Sequence, residues 1–142
     1  MDPEIRFPIE FVVAGTAISV QNKGTRRRKT MRDWQTRIRE ASRTALPEAH
    51  FLTESPIAVT LYYFPSAPMQ GDIDNIVKPI LDALDRHIYF SDHQVERVLV
   101  QKFEPENMFV FSSPSHVLRN ALIGSKPNLY VRLSDKPFEN LV

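Results

Sequence analysis

The chain has 142 residues, 42% of them hydrophobic and 25% charged, which is enough for one packed core and fits a single domain over 1–142. It has no cysteine, which excludes a disulfide framework and a zinc–thiolate site. The formal net charge is only +1, so no global basic balance marks a nucleic-acid binder.

In chain order, residues 8–13 are apolar and β-branched and predict a first strand. Residues 14–24 lack periodicity and read as a loop, followed by a basic run over 25–29. A helix is expected over 30–46, with Thr30 as N-cap, Asp33 in the first turn and Pro47 ending it. Met31, Trp34, Ile38, Ala41 and Ala45 form its apolar stripe, so Trp34 reads as core, and the opposite face carries Arg32, Arg39 and Arg43. Residues 57–64 are a strand. A second helix is expected over 74–84; Pro79 costs about 3 kcal/mol in a helix interior, so the helix either starts near Val77 or bends there. Residues 94–103 alternate like a strand. A short helix over 114–123, capped by Ser113 or Ser115, and a strand over 128–133 follow. This order implies an α+β fold, an α/β sandwich in which a small mixed sheet carries its helices on one face. No apolar run approaches the roughly 18 to 20 residues of a membrane helix, and the acidic opening, Met1-Asp2-Pro3-Glu4, does not resemble a signal peptide. A cytoplasmic protein without membrane partners is therefore expected.

Charge is distributed unevenly. Residues 19–43 hold nine Lys or Arg against two acids, and residues 72–106 hold eight acids against four bases. The first segment suits phosphates, with Lys23, Arg26, Arg27 and Arg28 as candidate DNA contacts; the second concentrates carboxylates. A nuclease needs both, whereas a simple DNA-binding module needs only the first.

Within the acidic segment, Asp72 and Asp74 stand two apart where a loop enters a helix. On a helix they would diverge by about 200°; at its entry both side chains can reach one spot. Converging carboxylates stay ionised cheaply when a cation lies between them. Mg²⁺ is the natural candidate, with Mn²⁺ as substitute, because it takes hard oxygen ligands and retains waters for a phosphate. Asp92, at the entry to the next strand, is placed to close the site. Lys78 lies four residues after Asp74 and either neutralises developing charge or pairs with Asp74 or Asp82 as scaffold. Asn75 would orient a carboxylate or a metal-bound water. An Asp-x-Asp alone is usually a solvated turn; the addition of Asn75, Lys78 and Asp92 favours a metal site. His50, His87, His93 and His116 show no ligand spacing.

Residues 71–95 resemble the signature of the RusA family of Holliday-junction resolvases: Asp72-x-Asp74-Asn75, Lys78, Leu81-Asp82-Ala83-Leu84, an aromatic turn at Tyr89-Phe90, then Asp92-x-Gln94-Val95. The match is ungapped. A weaker similarity takes in residues 19–22, the basic run and the Trp34 helix. The resemblance implies that Asp72, Asp74 and Asp92 bind Mg²⁺ and that Lys78 assists catalysis. It also implies a homodimer that resolves four-way DNA junctions by paired symmetric nicks. Ser91 stands where many relatives have a further acid, and 107–142 match no motif. Two other readings remain: a catalytically silent DNA-binding protein that keeps the fold, and a nuclease for flaps or forks.

Overall fold

The computed structural model of the chain describes residues 3–20 and 25–139, and within the first helix it describes side chains from Arg28 onward. Its elements are β1 (Ile9–Ala14), α1 (Thr25–Ser42), β2 (Ile57–Phe64), α2 (Val77–Leu84), β3 (Val95–Lys102), α3 (His116–Ile123) and β4 (Asn128–Ser134). The four strands form one sheet in the order β1-β4-β2-β3. β4 pairs antiparallel with both β1 and β2, while β2 and β3 are parallel and joined through α2. Parallel neighbours need such a crossover. The mixed sheet with its helices makes the fold α+β, as the element order implies.

Side chains along a strand point to alternate faces. One face presents Phe11 and Val13 of β1, Val59 and Leu61 of β2, and Leu129, Val131 and Leu133 of β4, packed against Trp34 and Ile38 of α1 and Ile80 and Leu84 of α2. Burying each such side chain contributes about 1.5–3 kcal/mol, so this layer holds most of the core. The other face presents Phe64 and Tyr130 to Leu118 and Ala121 of α3. This corrects the expectation that all helices share one face. Strand parity forces it: Phe64 and Tyr130 stand at even positions, opposite the odd-numbered core face of β2 and β4, and α3 covers them.

The helix expected from Thr30 begins at Thr25, so Thr30 is interior and the basic run is helical rather than a loop. Arg and Lys favour helix, and no Gly or Pro lies between Thr25 and Ser42. Apolar periodicity begins only at Met31, so it does not report the preceding basic turn. At the other end the α-helix stops at Ser42, and a 3₁₀ turn over Arg43–Ala45 completes the element. α1 is fixed to β1 by Arg37, whose Nη1 donates to Ala14 O at 3.1 Å. Gly15 follows at φ +125°, where a Cβ would lie 2.6 Å from that Nη1. Only glycine accepts both the conformation and the approach.

Candidate active site

β2 ends at Phe64, and the chain loops over 65–71 to Asp72, whose backbone is extended at φ −81°, ψ 146°. A 3₁₀ turn over Ile73–Ile76 follows and runs directly into α2. Ile76 is buried and anchors the turn, while Asp72 and Asp74 are exposed. Asn75 contributes through its backbone: its N–H donates to Asp72 O at 3.2 Å, and its carbonyl accepts from Val20 N at 3.0 Å. Pro79 is the third residue of α2, where its missing N–H would have no intrahelical acceptor, so it starts the helix rather than bending it. Of the two sequence expectations for Pro79, the start near Val77 holds.

In the first turn of α2, Lys78 Nζ lies 2.7 Å from Asp82 Oδ1 and 3.1 Å from Asp92 Oδ2. The hydrogen bond it donates to Asp82, then that to Asp92, holds this ammonium well above the usual lysine range. Lys78 is therefore a bridge between two acids. Asp92 Oδ1 accepts from the hydroxyl of Tyr89 at 3.1 Å, and that hydroxyl also lies 3.2 Å from Leu81 O. The Tyr89 ring is fully buried. Burial first, then the charge of Asp92, pushes its phenol up, so it stays protonated and acts as a donor. Asp92 is thus held from both oxygens.

The turn bearing Asp92 is itself built by hydrogen bonds. Ser91 Oγ accepts from His93 N at 3.2 Å, and Gln94 Oε1 accepts from Phe90 N at 2.8 Å and Ser91 N at 3.1 Å, a capping box. Gln94 Nε2 donates to Thr53 O and Ser55 O, tying the turn to the segment before β2. Ser91 works here as a cap. His93 is exposed.

The structure brings Lys78, Asp82, Asp92 and Tyr89 together. It does not gather the three sequence-assigned acids: among the described residues, no three His, Asp or Glu side chains form a group able to hold a metal ion. Asp72 lines a cavity of about 520 Å³ with Thr16, Tyr63, Met69 and Pro127, and Asp92 is not part of that lining. The donors fit a hard divalent cation in kind, since Asp72 and Asp74 are exposed carboxylates without an ion-pair partner among the described residues. In this structure the third acid, Asp92, is engaged by Lys78. Asp82 and Tyr89 escaped the sequence reading as site residues. Their spacing to Lys78 and Asp92, four and three positions, was the available signal.

Of the candidate DNA contacts, Lys23 lies outside the described residues. Arg26 and Arg27 fall on the first turn of α1, where side chains are not described, and Arg28 is exposed on the same helix. Among the described residues, no helix is long and apolar enough to cross a membrane.

The chain is thus an α+β domain whose β2–α2–β3 crossover carries an acid-rich turn and a lysine–aspartate bridge. Residues 13–110 match the family of endodeoxyribonuclease RusA, and the chain belongs to that family. No curated protein matches it.

Proposed function

We propose that this endodeoxyribonuclease is Mg²⁺-dependent and resolves four-way DNA junctions by paired symmetric nicks, as a homodimer. The observation that carries the reading is the family match over 13–110, which contains every acid of the 71–95 signature. Asp72, Asp74 and Asp92 would hold the ion, whose chemistry is to lower the pKa of a bound water and polarise a phosphate. Lys78 is already charged and exposed beside Asp92. A phosphate oxygen carrying developing negative charge meets an ammonium there, in a position fixed by Asp82. Asp82 gives Lys78 a second partner, so the ammonium keeps its place when Asp92 turns to another cation. Tyr89 meanwhile holds the other oxygen of Asp92. Two copies related by a two-fold axis would offer two such sites for two strands. Support for pairing comes from β3, an edge strand that exposes Val98 and Leu99.

The test is a synthetic four-way junction incubated with protein and Mg²⁺. Paired, symmetric nicks that disappear with a chelator support the proposal. Cuts confined to flaps or forks move the substrate, and binding without cleavage leaves a silent DNA-binding protein. Light scattering that returned a monomer at assay concentration would remove the dimer.

A further inference from the structure

The arginines of α1 fall into two groups. Arg37 is committed to Ala14 O. Arg28, Arg32 and Arg39 recur at steps of four and seven, which at about 100° per residue places them within a sector of roughly 40°. Arg43 continues the row on the following 3₁₀ turn. None of these four has an acidic partner among the described residues. Arginines four apart repel one another, so the row gains nothing for the helix by itself.

The row's place in the fold is fixed by two contacts. Gln35 lies in the same sector, and its Nε2 donates to Pro79 O at 3.1 Å, at the start of α2. Ser42 Oγ meets His87 Nε2 at 2.8 Å, just past the end of α2. α1 and α2 therefore run in the same direction, and the arginine row borders α2. The lowered pKa of His87 agrees: after burial and His50, the causes are the charges of Arg39 and Arg43. At the other end, Arg32 and Arg28 lie toward the turn that precedes α2 and carries Asp74. The outward face of α2 carries Lys78 and Asp82, both exposed.

We infer that Arg28, Arg32, Arg39 and Arg43 form a phosphate track that seats the backbone of a DNA arm along α1 and leads it past Asp74 and Lys78. The inference rests on the nuclease reading above and gives its substrate a path. From Arg28 to Arg43 the helix advances about 22 Å, and at 3.4 Å of axial rise per nucleotide of one strand that spans roughly six nucleotides. Guanidiniums grip phosphate oxygens with paired donors and no sequence information, as a structure-directed nuclease requires.

The test uses the full chain in EDTA, so that binding is read without cleavage, with a fluorescent four-way DNA junction and anisotropy across a salt series. The variants are R28Q/R32Q, R39Q/R43Q and the quadruple. The control is R119Q, which removes one charge from α3 on the opposite face of the sheet. Each pair is expected to weaken binding at least 10-fold and to lower the slope of log K against log[salt] by nearly two, at about 0.9 per phosphate contact. The quadruple should lose nearly four, and R119Q should match wild type. Circular dichroism verifies folding; if the quadruple does not fold, the two pairs decide. Folded pairs that bind with wild-type affinity and slope overturn the track while leaving the nuclease reading intact. A wild-type protein that binds no junction at any salt fails the nuclease reading itself.

Discussion

Lys78 touches two acids, and the contacts differ in consequence. Asp82 is its neighbour one turn along the same helix, while Asp92 comes from 14 positions away in sequence. The first pairing is legible in a sequence as an i,i+4 pair. The second needs the fold, and it is what turns a surface ion pair into part of a site. The acids at 72, 74 and 92 stand out because Asn75, Lys78 and Asp92 accompany an Asp-x-Asp at a helix entry, a pattern that a solvated turn does not need. Their separation in the structure was not legible, since nothing in the spacing says that Lys78 sits on Asp92. Two residue-scale outcomes follow. Asp74→Asn keeps the side-chain volume and removes one charge, so cleavage of a four-way junction should fall by at least 100-fold with junction affinity unchanged; nicking assays and anisotropy read the two separately, and undiminished cutting would remove Asp74 from the site. Lys78→Met removes the cation competing for Asp92, so Mn²⁺ should bind several-fold more tightly by calorimetry even as cleavage is lost. An unchanged or weaker Mn²⁺ affinity would mean that the lysine does not compete with a metal.

Among the elements, strands were read more closely than helix ends. The sequence places β2 at its observed bounds because seven apolar or aromatic residues and the β-branched Thr60, between prolines, leave little choice. α1 starts six residues before the apolar stripe, where Arg and Lys supply helix propensity that apolar periodicity does not report. The short turn before β3 is held by polar side chains that periodicity does not report. Ser91→Ala removes the hydroxyl that accepts from His93 N and should cost about 1 kcal/mol, seen as a lowered urea midpoint at unchanged slope. No loss would mean that Gln94 alone holds the turn. A pH effect belongs at the junction of α1 and α2. His87 is lowered from 6.5 by burial first, then by His50, Arg39 and Arg43. The folded state therefore binds its proton more weakly than the unfolded chain. This contribution to stability is full above 6.5 and is lost as pH falls from there through the folded value. His87→Gln should flatten the fall in melting temperature over that window. An identical profile would place the acid sensitivity elsewhere.

The scale of the whole molecule sets how the matched family region relates to the fold. The match ends at residue 110, yet β4 lies beyond it and occupies the middle of the sheet, between β1 and β2. The sequence identified 128–133 as a strand but could not say that it was central, because strand order depends on pairing partners more than 60 positions away. Leu129, Val131 and Leu133 are each 0% exposed. At about 1.5–3 kcal/mol apiece, their burial alone is worth about 4–9 kcal/mol. A whole domain of this size has a net stability of about 5–15 kcal/mol. Without β4, β1 would also lose its only pairing partner among the described residues. A chain ending at residue 110 keeps every acid of the signature and Lys78, and should nonetheless be unfolded: no cooperative thermal transition, poorly dispersed amide resonances, and no junction binding or cleavage. A folded, active 1–110 fragment would show that the α1–α2 layer and the β2–β3 pair suffice, and that β4 completes the sheet without holding the site together.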